Sequence, residues 1–173
     1  MEMLLLSNST MPGKPYLDWA KGHLNEFLGR NYKTGIFIPF AAVTFSYEEY
    51  YELVKKEFLK YGVRVESLHL ASDMKNAIME REVIIVGGGN TFQLLNKLYQ
   101  FDLIQIIQSK IQQDTPYIGW SAGSNIVCPS IKTTNDMPVV QPPSFKALNL
   151  VPFQINPHYT DKTITGHGGE SRD

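Results

Sequence analysis

Short apolar runs rich in β-branched residues alternate along the chain with longer stretches in which apolar positions recur at helical spacing. MLLLS (3–7), GIFIPF (35–40), VRVESLHL (63–70), EVIIVGGG (82–89) and PYIGW (116–120) each predict a strand. Between the first two, PYLDWAKGHLNEFLG (15–29) predicts a helix with Pro15 near its first turn and Gly29 at its end. The clearest helical pattern is SYEEYYELVKKEFLKY (46–61): Ser46 can cap it with Glu49 three places on, and Gly62 ends it. Its apolar positions Tyr50, Leu53, Val54, Phe58 and Leu59 fall near one face. A short helix follows Ser72 and Asp73, and helical sequence from Thr91 to about Gln113 is broken near Asp102.

Strand and helix thus alternate at least four times. That order predicts an α/β fold: a three-layer α/β/α sandwich with a mostly parallel sheet. MLLL, VIIV and YIGW are apolar without alternation, as expected of strands covered on both faces. In open sheets of this kind, ligands and reacting groups gather beyond the carboxyl ends of the strands. Three segments fall at that edge: Asn8-Ser9, Gly87-Gly88-Gly89-Asn90, and Ser121.

Composition narrows the function classes. A chain of 173 residues, 43% hydrophobic and 19% charged, suits one globular domain over 1–173. Sixteen basic and seventeen acidic residues leave a formal charge of -1, so no nucleic-acid or membrane partner is expected. No apolar stretch approaches the roughly 18 residues of a membrane span. MEMLLLSNST lacks a basic leader, and its apolar part is short for a signal peptide. The single cysteine, Cys128, excludes an internal disulfide framework and fits a reducing compartment, so a cytoplasmic location is expected. Cys128 itself reads as a small buried apolar residue.

Candidate chemistry centres on Gly119-Trp120-Ser121-Ala122-Gly123, a G-x-S-x-G pattern directly after an apolar strand. A nucleophile on a sharp strand-to-helix turn occupies a strained backbone and needs small neighbours for the turn to close. Such a turn also aims the Ala122 N–H and a helix N-terminus at an oxyanion. A tight βα turn with small residues for packing is the competing explanation. The Gly87-Gly88-Gly89-Asn90 segment departs from the dinucleotide fingerprint, because Phe92 stands in its sixth place, and from the phosphate loop, because the lysine is missing. A row of backbone donors for an oxyanion is the favoured reading over a structural turn. Of the four histidines, His23 falls in a helical pattern and His69 in a strand pattern. His158 ends what reads as an apolar strand in FQINPHYTD (153–161) and can face the same edge as Ser121, which makes it the preferred general base. Asp136, in TTNDMP (133–138), lies between nucleophile and base in the chain and is the preferred acid. A turn-forming role is its alternative, and Asp161 is a weaker candidate.

Seven ordered blocks together, LLLSNST, FIPFA, IIVGGGNTFQLL, YIGWSAGSN, TTNDMP, QINPHYT and GHGGESR, resemble the aspartyl dipeptidases of serine peptidase family S51. The resemblance implies cleavage of dipeptides with N-terminal aspartate (Asp-Xaa) in the cytosol, with no metal and no other cofactor. It also implies a flavodoxin-like fold similar to the class I glutamine amidotransferases, with serine in place of their cysteine. By motif it implies Ser121 as nucleophile, His158 as base and Asp136 as acid. Gly88, Gly89 and Ala122 are implied as the oxyanion hole, and Arg172, assisted by His167 and with Asn90 nearby, as the groups that hold the substrate. A planar guanidinium at 172 could grip the aspartate side chain bidentately. Family members run on beyond GHGGESR, so a C-terminally shortened catalytic domain is expected. The uncovered apolar surface of such a domain would favour a homodimer or lower stability. Two alternative functions follow: hydrolysis of aspartyl bonds in a polymer such as cyanophycin, and a catalytically inactive binding module.

Overall fold

The computed structural model describes residues 1–29 and 32–159. Its five strands, β1 (Met3–Leu6), β2 (Thr34–Ile38), β3 (Arg64–Ser67), β4 (Val83–Val86) and β5 (Tyr117–Trp120), form one sheet in the order β1-β5-β4-β2-β3. Every pairing is parallel, with Leu6 opposite Trp120 and Val86 opposite Gly119. All five carboxyl ends therefore open on one rim, where the residues that follow β1, β4 and β5 become neighbours.

Among the described residues six α-helices connect and cover the strands: α1 (Lys21–Leu28), α2 (Tyr47–Leu59), α3 (Met74–Glu80), α4 (Thr91–Gln100), α5 (Ile104–Gln112) and the short α6 (Ala122–Asn125). The strands alternate their side chains between two apolar clusters. Ile36, Ile38, Ile84, Val86 and Tyr117 face one cluster with residues of α3, α4, α5 and α6. Phe37, Val83, Ile85, Ile118 and Trp120 face the other with residues of α1 and α2. Two cores, one on each face of a parallel sheet, make the three layers that the alternating pattern predicts. No helix among the described residues is long and apolar enough to cross a membrane.

Local chemistry fixes the helix ends. The Ser46–Glu49 capping box is complete: the Glu49 N–H donates to Ser46 Oγ at 3.1 Å, and the Ser46 N–H donates to Glu49 Oε2 at 2.9 Å. Asp73 caps α3 and Asn90 caps α4 through their side-chain oxygens. Asp102, at φ 51, separates α4 from α5 at the predicted break.

Three expectations are corrected. The first helix starts at Lys21 rather than near Pro15, after a 3-10 turn at Asp18–Ala20. The reason is Leu17, which is fully buried in a left-handed conformation at φ 54 with its N–H on the Ser9 carbonyl; an α-helix cannot run through such a residue. The third strand ends at Ser67, and Leu68–Leu70 turn as a 3-10 helix that carries His69 out of the sheet. On α2 the buried stripe is Tyr50, Val54, Glu57 and Phe58, while Leu53 and Leu59 are exposed. Steps of four residues from Tyr50 hold one face, and the intervening apolar residues rotate away from it.

Candidate active site

β5 delivers Ser121 to the rim in an unusual backbone state, φ 53 and ψ −116. For a residue with a Cβ this is a sparsely populated, strained region. Neighbouring bonds hold it there. The Ser121 N–H continues the ladder to the Leu6 carbonyl at 3.0 Å, and the Ser121 carbonyl accepts the N–H groups of Ser124 and Asn125 at 2.9 Å, which starts α6 at once. Ser124 Oγ contacts the Leu6 and Gly119 carbonyls, and Tyr117 Oη donates to the Gly123 carbonyl at 2.6 Å. Gly123 must lack a side chain, since a Cβ there would overlap the Val86 carbonyl. Sheet, turn and helix therefore fix the backbone that carries the serine hydroxyl.

It points at His158. Ser121 Oγ and His158 Nε2 lie 2.7 Å apart, across 37 positions of sequence. The imidazole does not arrive on a strand as expected: residues 153–155 make no ladder. The Ile155 N–H donates to Cys128 Sγ at 3.1 Å instead, and its carbonyl accepts from Asn125 Nδ2 at 2.7 Å and Thr133 Oγ1 at 2.6 Å. Side chains have taken the place of a neighbouring strand. His158 itself sits at φ 64, with its N–H on Ser7 Oγ at 2.9 Å. Ser7 and Asn125 thus hold the histidine segment, and neither stands out in the sequence as more than a strand end and the residue after a serine.

The glycine segment after β4 lies directly against the serine. A Cβ on Gly88 would sit 2.9 Å from Ser121 Cβ and 3.0 Å from the Trp120 carbonyl oxygen, so this approach requires glycine. The Gly87 N–H is bonded to the Ile38 carbonyl at 3.2 Å and the Asn90 N–H to the Ala41 carbonyl at 2.8 Å. Between these anchors, the N–H groups of Gly88 and Gly89 make no backbone hydrogen bond among the described residues, nor does that of Ala122. Free amides beside a hydroxyl–imidazole pair are the material of an oxyanion site.

The remaining predicted residues are distributed as follows. Asp136 Oδ2 accepts the Thr91 N–H at 2.7 Å and Thr134 Oγ1–H at 2.9 Å, which puts its charge at the N-terminus of α4. The Asn90 side chain is engaged at both ends, accepting the Gln93 N–H at 3.0 Å and donating to the Met137 carbonyl at 2.7 Å. Arg172, His167 and Asp161 lie outside the described residues. His23 is exposed on α1, and His69 pairs its Nδ1 with Ser67 Oγ at 2.7 Å while its Nε2 lies 3.3 Å from Glu48 Oε1. Cys128 is fully buried, and burial pushes its thiol pKa up, with the N–H of Ile155 acting in the opposite sense. Among the described residues no three His, Cys, Asp or Glu side chains gather as a metal cage.

An all-parallel α/β sheet carrying a strained serine, an imidazole and free amides at its carboxyl rim defines a class of α/β proteins equipped for nucleophilic chemistry. The particular family follows from comparison. The family model described as Peptidase family S51 matches residues 3–173, and the chain belongs to that family. It is 51% identical to peptidase E of Nostoc sp. over 99% of this chain and 71% of that protein. It is 49% identical to peptidase E of Shewanella denitrificans over 98% of this chain and 72% of that one. Among solved structures, a peptidase E candidate from Listeria monocytogenes EGD-e superposes with a TM-score of 0.65 at 26% identity, covering 88% of this chain and 76% of that one.

Proposed function

We propose that the protein is a serine-type dipeptidase that hydrolyses Asp-Xaa dipeptides through an acyl-enzyme on Ser121. The observation that carries the chemistry is the 2.7 Å contact between Ser121 Oγ and His158 Nε2 at a serine of positive φ. Membership of a peptidase family and relatives named peptidase E support a peptide substrate. The aspartate preference rests on the resemblance of the whole set of sequence blocks.

In this mechanism His158 Nε2 takes the hydroxyl proton as Ser121 Oγ bonds to the scissile carbonyl carbon. The carbonyl oxygen becomes an oxyanion held by the N–H of Ala122 and by those of Gly88 and Gly89. Collapse of the tetrahedral adduct breaks the C–N bond, and the leaving amine carries away the proton from His158. Water then attacks the aspartyl ester, giving its proton to His158, and free aspartate leaves as the Ser121 hydroxyl is restored. The acid role of Asp136 rests on the resemblance alone, since the partners of its Oδ2 are the Thr91 N–H and the Thr134 hydroxyl. The resemblance to class I glutamine amidotransferases, with serine in place of their cysteine, belongs to the same reading.

The test is release of leucine from Asp-Leu by the wild type and by Ser121→Ala. Turnover should fall at least ~10³-fold in the variant. Retained turnover in the variant, or none in a folded wild type, would end the proposal.

A further inference from the structure

We propose that Tyr50 is the positioning residue of the oxyanion site: its phenol fixes the Gly88–Gly89 peptide so that the Gly89 N–H faces the reacting carbonyl, and it ties that peptide to the strand that carries Ser121. The proposal rests on the serine-hydrolase reading above and adds to it a residue from the far side of the glycine loop.

Donor and acceptor types set the directions of two hydrogen bonds at this phenol, beside which the Tyr16 hydroxyl also lies. The Trp120 indole can only donate, and its Nε1–H goes to Tyr50 Oη at 2.9 Å. The phenol has a single proton, which goes to the Gly88 carbonyl at 3.0 Å. The Gly88–Gly89 peptide is trans, so this planar unit holds its N–H opposite its C=O. With the carbonyl turned into the core toward Tyr50, the Gly89 N–H is turned out of it. Neither that amide nor its Gly88 neighbour makes a backbone–backbone hydrogen bond among the described residues, and they lie between anchored amides at Gly87 and Asn90. Two serial hydrogen bonds in a dry site polarise one another, and here the relay starts on the residue next to the nucleophile.

The surroundings over-determine the position of Tyr50. It lies in the first turn of α2, with its N–H on the Ser46 carbonyl at 3.1 Å inside the capping box. The Phe37 and Phe45 rings meet it edge-on at 4.9 and 5.0 Å. The ring runs so close under Gly87 that a Cβ there would reach 2.5 Å from the phenol oxygen. Phenylalanine would fill the same space, so packing alone does not call for the hydroxyl; the two hydrogen bonds do. Burial pushes the phenol pKa up to about 12, so the proton stays available at every working pH.

The experiment compares the wild type with Tyr50→Phe in steady-state hydrolysis of Asp-Leu, in the rate at which a fluorophosphonate labels Ser121, and in thermal melting. A released Gly88–Gly89 peptide should lower kcat and the labelling rate together by ~10-fold, with KM changed less than about twofold, because the donor matters most once the oxyanion forms. A packing defect alone would lower the melting temperature without that split. Kcat and labelling within about twofold of wild type in a folded variant would overturn the proposal. A wild type that labels but leaves Asp-Leu intact removes the substrate reading alone, and the labelling ratio still decides the role of Tyr50. A wild type inert to both reagents removes both readings. Should Tyr50→Phe not fold, Trp120→Phe breaks the relay at its other end; labelling ~3-fold slower is expected, and unchanged labelling overturns the proposal.

Discussion

Replacing Ser121 by glycine should give a protein that is inactive yet more stable than the one in which Ser121 is replaced by alanine. Both substitutions remove the hydroxyl and with it the 2.7 Å bond to His158, so that loss cancels in the comparison. They differ in the Cβ. Alanine keeps the atom that makes φ 53, ψ −116 unfavourable, at a cost of order 1–3 kcal/mol, whereas glycine occupies positive φ without it. Two terms oppose the gain. Glycine adds freedom to the unfolded chain worth ~0.5–1 kcal/mol, and it gives up the contacts of a Cβ packed beside Gly88. The balance is about 1 kcal/mol in favour of glycine, or ~2–4 °C in melting temperature for a chain of this size. Paired urea unfolding curves of the two variants, with slopes required to match, measure it directly. A midpoint for Ser121→Gly at or below that of Ser121→Ala would show that the turn stores no more strain than the two opposing terms offset. The inference that this backbone is held for chemistry would then fail.

Ser7→Ala should remove the hydroxyl that accepts the His158 N–H at 2.9 Å, lowering kcat for Asp-Leu by ~3–10-fold while stability falls by no more than ~1 kcal/mol. Unchanged kcat in a folded variant would mean that other contacts alone hold the imidazole in place. In the first turn of α2, Glu49 is held below its usual pKa, first by the backbone N–H of Ser46 and then by its hydroxyl. A carboxylate with a depressed folded pKa adds stability that is full above its ordinary value of 4.5 and is lost as pH falls through the folded value. Glu49→Gln should therefore flatten the acid limb of a stability-against-pH curve, with the two proteins converging at the lowest pH; parallel limbs would count against the capping box as its cause.

What the chain discloses in one dimension is set by how local each interaction is. Asn90 caps a helix three residues away and Ser46 does the same, so both helix starts are visible in the sequence, as are the β-rich runs that become β4 and β5. The serine turn is nearly as local, because the small residues it needs are its own neighbours. By contrast, the phenol of Tyr50 meets partners 38 and 70 positions away, and in the sequence it is one more apolar residue on an amphipathic helix. Leu17 reads as helical because nothing near it says that its backbone turns left-handed to bury its side chain.

The histidine segment shows the same divide from the other side. FQI has the composition of a strand, but whether a strand forms depends on a free sheet edge beside it. Here Ile155 meets Cys128, Asn125 and Thr133 instead, and those partners do the work of a ladder. Asp136 is a carboxylate within reach of a helix N-terminus, and its oxygen settles on the Thr91 N–H, a choice that cannot be read from its position between nucleophile and base in the chain. The pairing of Ser121 with His158 is therefore legible from type and spacing, whereas the residues that hold the pair in place are legible only once the sheet has brought its strand ends together. The consequence is directional: substitutions at Ser7, Tyr50 and Asn125 should damage the geometry of the site well before they damage the fold, because each spans two segments whose own elements are secured elsewhere.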